Sequence, residues 1–275
     1  MVAADLPIRQ LENGPYRGTV FRDSGQGTPL MLVHGFPADG NLWHHVMTTL
    51  SGSFRLLVPD LPGSGLSPTI DSLSIEDMAE LLCAILDQQA VEQCVLVGHS
   101  MGGYAALAFA EQYPDRLQGL GLFHSSALPD SEEKKKGRAR SIELIRRYGG
   151  AGFLRQMIPG LFSARYRTGQ RAALQELIRQ KSESDPTALI TYYRAMMQRP
   201  DRIHVLEQTK VPVLFVIGEE DGAVQPEDVL KQVLLPRVST AYWLKETAHM
   251  GMLEKPDTSV GMLDSFMRFC VQYPF

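Results

Sequence analysis

The chain has 275 residues, 44% hydrophobic and 21% charged, with 27 Lys+Arg against 31 Asp+Glu and a formal net charge of −4. That length suits one α/β domain carrying an insertion, and the apolar share is enough for a large core. With this balance, and no run near the ~20 apolar residues of a membrane span, neither a nucleic acid nor a membrane is expected as a partner.

Met1 to Gln10 holds no apolar leader stretch. Cys83, Cys94 and Cys270 are few and odd in number, and they fall in helical or strand patterns. They read as small core residues in a reducing compartment, so a cytoplasmic location is expected.

Two strand-like segments open the chain, around Arg9 to Glu12 and Tyr16 to Asp23, with turn chemistry at Asn13-Gly14 and Gly25-Gln26-Gly27. A buried strand, Pro29 to Val33, leads into His34-Gly35-Phe36-Pro37, with Trp43-His44-His45 beyond it. His44 and His45 have no Cys or acidic partner at ligand spacing, which argues for surface or packing roles and against a metal. The strand Arg55 to Val58 leads into Asp60-Leu61-Pro62-Gly63-Ser64-Gly65-Leu66-Ser67. A helix is expected over Ser74 to Gln88, with Ser74 and Asp77 forming a capping box. Neither a dinucleotide nor a P-loop reading survives: Gly63-Ser64-Gly65 lacks the rest of G-x-G-x-x-G, and no glycine loop is followed by G-K-[ST].

The apolar run Cys94 to Val97 ends in Gly98-His99-Ser100-Met101-Gly102-Gly103, and a helix pattern, Tyr104 to Ala110, follows at once. A G-x-S-x-G motif between a buried strand and a helix has the form of a nucleophile elbow, in which a tight turn pushes the Ser100 hydroxyl out at the carboxyl edge of a sheet. The turn leaves no room for flanking side chains, which accounts for the glycines. The helix N-terminus adds partial positive charge where an oxyanion would form. His99 is expected to pack behind the elbow.

A serine hydroxyl needs a base, and the base needs a carboxylate to hold its tautomer. After a strand at Leu117 to Phe123, the next strand is Val211 to Ile217, ending in Gly218-Glu219-Glu220-Asp221. A further strand, Ala241 to Leu244, leads to Thr247-Ala248-His249-Met250, and a helix starts at Lys255-Pro256-Asp257. Ser100, Asp221 and His249 follow the chain order of one common triad arrangement and neither of the other two. Asp130, in the loop after Phe123, is the alternative carboxylate.

From Ser126 to Leu206 the strand-helix alternation stops. Helical patterns run over Ser131 to Tyr148, Ala151 to Phe162, Thr168 to Lys181 and Pro186 to Gln198. This stretch holds 16 Lys+Arg against 8 Asp+Glu, and the rest of the chain 11 against 23. Opposite charge would help the two parts dock, and the arginines of this stretch could also attract an anionic substrate.

On the motifs at His34-Gly35-Phe36-Pro37, Asp60 to Ser67, Gly98 to Gly103, Asp221 and His249, the chain resembles the α/β-hydrolase family over nearly its whole length. The resemblance implies a mostly parallel eight-stranded sheet with helices on both faces, plus an all-helical cap insertion. Residues 1–125 and 207–275 would form the core, and 126–206 the cap. It also implies that the backbone N–H groups of Phe36 and Met101 form the oxyanion hole, and that His34 braces that loop. Tyr192 and Tyr193 resemble the cap tyrosines of epoxide hydrolases, but those enzymes use an aspartate nucleophile where this chain has Ser100.

The expectation is a serine hydrolase cleaving a small carboxylic ester, lactone or thioester through an acyl-enzyme, with no cofactor and no metal. The alternatives are a cofactor-free C–C bond hydrolase or lyase using the same triad, and a catalytically silent relative that binds a small ligand. Against the first, His99 stands where many C–C hydrolases have Asn, and Tyr104 where the lyase pattern often has Arg.

Overall fold

Strands such as Pro29–Val33 and Cys94–His99 carry apolar side chains on both faces, so they are stable only with helices on each side. The computed structural model describes residues 7–272 and has that architecture. Met1–Leu6, the larger part of the segment expected to lack a leader, lie outside the described residues.

The strands are β1 (Ile8–Gln10), β2 (Val20–Ser24), β3 (Pro29–Val33), β4 (Arg55–Pro59), β5 (Cys94–His99), β6 (Leu117–Phe123), β7 (Val213–Gly218) and β8 (Ser239–Leu244). They form one eight-stranded sheet in the order β1-β2-β4-β3-β5-β6-β7-β8. Strands β3 to β8 pair in parallel, while β1 and β2 are antiparallel to their neighbours. From β3 the chain steps outward to β4 and then returns to β5 on the other side. The carboxyl ends of β3 and β5 therefore flank the crevice where open α/β sheets bind their ligands.

The core helices are α1 (His44–Leu50), α2 (Ile75–Gln88) and α3 (Met101–Gln112). Ser74 caps α2 in the expected box: its hydroxyl accepts from the Asp77 N–H, and the Asp77 carboxylate accepts from the Ser74 N–H. Such a cap contributes about 1 kcal/mol. Asp60 fixes the loop after β4, binding buried Arg22 Nη1 at 2.9 Å and the N–H groups of Gly40 and Leu66.

Between β6 and β7 the described chain is helical: α4 (Glu132–Tyr148), α5 (Gly150–Met157), α6 (Ala164–Gly169), α7 (Arg171–Lys181), α8 (Pro186–Gln198) and α9 (Ile203–Gln208). After β7 come α10 (Pro226–Leu230), α11 (Gly251–Glu254) and α12 (Pro256–Gln272). Among the described residues, no helix is long and apolar enough to cross a membrane. All three cysteines are buried and free.

Several boundaries differ from those expected. Tyr16–Gly18 is a turn and not the start of β2, because Gly14 and Gly18 take φ of +82° and +88° and bend the chain there. Pro159 tightens the end of the expected Ala151–Phe162 helix into a 3₁₀ turn over Ile158–Leu161. Gln170, with φ −122° and ψ 40°, splits the expected Thr168–Lys181 helix in two.

Candidate active site

Ser100 sits at the turn from β5 into α3 with φ +51° and ψ −115°, a left-handed conformation that costs a non-glycine residue free energy. The turn is held from β6: the Ser100 N–H donates to the Phe123 carbonyl at 3.0 Å, and Ser125 Oγ donates to the Ser100 carbonyl at 2.8 Å. Glycine is required on both sides. A Cβ on Gly98 would lie 2.1 Å from the Gly102 carbonyl oxygen, and one on Gly102 would lie 2.5 Å from the Val33 oxygen.

The loop after β3 lies directly against this turn, since a Cβ on Gly35 would be 2.8 Å from Ser100 Cβ. His34 ties the loop down. Its Nδ1 is 3.0 Å from the Gly35 carbonyl oxygen, and its Nε2 accepts the Leu61 N–H at 3.0 Å. Met101 thus follows Ser100 in sequence, and Phe36 stands next to Gly35 in the loop that meets the turn. Among the described residues, neither of their N–H groups is bonded to a carbonyl or side chain.

Asp221 follows β7 and His249 follows β8, and the parallel order brings both to the same sheet edge as Ser100. His249 Nδ1 lies 2.8 Å from Asp221 Oδ2, with both side chains only 2% exposed. The other carboxylate oxygen accepts the N–H groups of Ala223 and Val224, each at 2.9 Å. Burial works to raise the Asp221 carboxyl, but the imidazoles of His249 and His124 outweigh it and hold the group well below the usual carboxylate range. An ionised carboxylate only accepts, so Nδ1 of His249 carries the proton and Nε2 presents its lone pair.

Asp130 is engaged elsewhere. Arg138 Nε at 2.6 Å and Arg199 Nη1 at 2.8 Å bind its carboxylate, and the Arg199 guanidinium lies 3.8 Å over the Tyr104 ring. Glu220 accepts the Ala164 N–H at 3.4 Å. His99 Nε2 is 2.9 Å from the His249 carbonyl oxygen, so the residue before the nucleophile holds the backbone of the histidine. Burial, with His249 and His124 nearby, pushes the His99 imidazole well below its ordinary value and keeps it neutral.

Tyr192 donates its hydroxyl to the Pro62 carbonyl at 2.8 Å. The Tyr193 ring lies 4.6 Å from that of Phe36, and burial pushes its phenol up to about 12. His44 and His45 are exposed, and His45 pairs with Asp257 at 2.9 Å.

The inserted helices meet the site at the His249 loop. The His249 N–H donates to the Leu161 carbonyl at 3.0 Å, and Glu254 accepts the N–H groups of Ala248 and Ser163, each at 3.1 Å. Beside this junction lies a cavity of 330 Å³, with Pro37, Leu42, Leu161, Leu177 and Met250 among its apolar walls. Asp39 and Lys181, which also line it, form an ion pair.

Sequence reasoning missed His124, Ser125 and Glu254. The first two stand at the carboxyl end of β6, the strand between those carrying Ser100 and Asp221. That position was a signal in their favour.

The family model for the alpha/beta hydrolase fold matches residues 28–256, and the chain belongs to that family. It is an enzyme of the carboxylesterase-like kind within it. It is similar to a thermophilic esterase from Thermogutta terrifontis, with 30% identity, a TM-score of 0.89, and coverage of 97% of this chain and 99% of that one. It is 29% identical over 206 residues to the pimeloyl-[acyl-carrier protein] methyl ester esterase of Yersinia enterocolitica, covering 71% of this chain and 76% of the relative. The 2-succinyl-6-hydroxy-2,4-cyclohexadiene-1-carboxylate synthase of an Enterobacter strain is 30% identical over 217 residues, or 75% of this chain and 82% of the relative.

Proposed function

We propose that the chain hydrolyses a small carboxylic ester, lactone or thioester through an acyl-enzyme on Ser100, with His249 as base and Asp221 as the acid that orients it. The observation that carries this reading is the 2.8 Å contact between His249 Nδ1 and Asp221 Oδ2 at the sheet edge that also bears the strained Ser100 turn. His249 Nε2 takes the Ser100 Oγ proton as Oγ bonds to the substrate carbonyl carbon. The N–H groups of Phe36 and Met101 hold the oxyanion, helped by the N-terminus of α3. Collapse breaks the bond to the leaving alkoxide or thiolate, which receives the proton from Nε2. Water deprotonated by His249 then releases the acid and restores Ser100. No cofactor or metal enters the reaction.

Residues 126–206 act as a cap over this centre, and the 330 Å³ apolar cavity beside it suits a compact acyl group better than a long lipid. The esterase from Thermogutta terrifontis, which matches along 97% of this chain, supports an ester substrate. The match to the Enterobacter synthase supports a second reading, in which the same three residues serve a lyase with Ser100 as a base.

Active-site titration separates the two. A hydrolase reacts stoichiometrically with a fluorophosphonate at Ser100 and gives a burst of alcohol release on activated short-chain esters. Absence of labelling, and of turnover on a broad panel of esters, lactones and thioesters, would overturn the acyl-enzyme reading.

A further inference from the structure

His124 is a buried histidine with no part in the reaction described above, yet its imidazole lies against the carboxylate that orients His249. Its Nδ1 is 3.4 Å from Asp221 Oδ2, the same oxygen that His249 Nδ1 contacts at 2.8 Å. The Gly251 N–H donates to His124 Nε2 at 3.2 Å, which makes Nε2 the acceptor and leaves the proton of the neutral ring on Nδ1. That Nδ1–H makes no hydrogen bond of ordinary geometry among the described residues, so its 3.4 Å approach to Asp221 Oδ2 is a charge–dipole contact from a buried donor with nothing else to face.

The ring sits in a fitted slot. A Cβ on Gly251 would lie 2.5 Å from its Nε2, and one on Gly218 would lie 2.9 Å from its Cε1. The backbone of His124 takes φ +50°, which costs a non-glycine residue free energy, and its N–H is anchored to the Val216 carbonyl at 2.9 Å. Strain held in place beside a reacting centre is a mark of a positioned group.

We propose that His124 is a positioning residue for the reaction at Ser100: its Nδ1–H dipole, turned toward the Asp221 Oδ2 that His249 bonds, steadies the carboxylate and moderates its pull on the base. The proposal rests on the reading of Ser100, Asp221 and His249 as the triad. Ala223 and Val224 donate to Oδ1, His249 Nδ1 donates to Oδ2, and the His124 Nδ1–H faces Oδ2 from the longer distance of 3.4 Å. A donor on Oδ2 disperses the charge there, so His249 is held firmly in orientation while the carboxylate stabilises an imidazolium less than it would alone. The titratable groups facing His124 are Asp221, His249, His99 and Glu254, with ring centroids 5.8 Å away at His249 and 6.1 Å at His99. Burial lowers the His124 imidazole from its ordinary value, so it stays a neutral donor while His249 gains and loses its proton.

The test compares His124→Leu, which removes the donor, with His124→Asn, whose amide N–H falls near the Nδ1 position and tolerates a left-handed backbone. The full chain is assayed on p-nitrophenyl acetate across pH, and the His249 ring nitrogens are titrated by NMR without substrate. For His124→Leu we expect kcat to fall by ~10-fold with KM within ~2-fold, and the acid limb of the rate profile and the His249 titration to move up together by ~0.5–1 pH unit. His124→Asn should restore most of both.

Superimposable profiles for wild type and His124→Leu would overturn the proposal, as would equal defects in Leu and Asn or a change in melting temperature alone. If His124→Leu does not fold, His124→Gln replaces it, since its donor falls at the Nε2 position and leaves Asp221 without one. The NMR titration needs no turnover, so failure of the triad reading would show in Ser100→Ala and not in this shift.

Discussion

The backbone N–H of His249 donates to the carbonyl of Leu161 across 3.0 Å, joining the loop that carries the proposed base to the helical insertion. Glu254 bridges the same junction through Ala248 and Ser163. The insertion is thereby fastened at the histidine itself. A change in the docking of the helices would be felt first in the orientation of the imidazole.

Glu254→Ala therefore should cost both stability and rate. Two N–H groups lose a charged acceptor, and hydrogen bonds to charged groups contribute about 1.5–3 kcal/mol each when buried, less when partly exposed as here. Thermal unfolding should fall by several degrees and kcat/KM by ~5-fold or more. A variant with wild-type melting temperature and rate would show that the bridge carries no load.

Asp221→Asn should lower ester turnover by ~10³-fold or more, because an amide can donate to His249 Nδ1 and favour the wrong tautomer. Ser100→Ala and His249→Ala should cost as much, since the three act as one unit. Circular dichroism checks that each variant is folded. Near wild-type activity in folded Ser100→Ala would end the acyl-enzyme mechanism.

Asp130→Ala should behave in the opposite way, destabilising the protein while sparing chemistry. It would leave Arg138 and Arg199 without their shared carboxylate, and breaking a buried pair costs about 3–5 kcal/mol. Urea denaturation should report that loss. Turnover by the remaining folded protein should stay within ~10-fold of wild type, and a larger drop would bring Asp130 into the catalytic argument.

Stability should fall as pH drops below about 6.5. Burial lowers the imidazoles of His34, His99 and His124, so each stays neutral in the folded state at pH values where the unfolded chain takes up a proton. For such groups the stabilisation is present above the unfolded value and is lost as pH falls towards the folded one. Each contributes a slope of about 1.4 kcal/mol per pH unit in that window. Asp221, also held low, adds a further loss below about pH 4. Denaturation midpoints measured from pH 7.5 to 4.5 give the proton uptake, and a flat curve through pH 6 would mean these rings are charged in the native state.

The sheet was legible because both of its signals are local. An apolar run such as Cys94 to Val97, followed by glycines and a helix, has one stable disposition, and the expected strands fall within a few residues of β3 to β8. Misplaced boundaries lay at Tyr16, Pro159 and Gln170, where glycine turns, a proline-tightened end and a single non-helical residue overrode the periodicity. The contact of Asp221 with His249 was legible as well, because parallel strands in sequence order deliver their following loops to one edge.

The sequence by itself determined the classes of group brought to the sheet edge: a serine at a tight turn, a carboxylate and an imidazole in a recognisable order, and an alternative acid at Asp130. Only the tertiary structure decided which carboxylate meets which partner, giving Asp221 to His249 and Asp130 to two arginines. It alone placed His124 on the Asp221 carboxylate and Leu161 on the His249 backbone. Periodicity and motif spacing are read over a few residues. Hydrogen bonds such as those of His99, His124 and Glu254 join groups 6 to 150 positions apart, and their partners are set by how the strands stack and the helices dock.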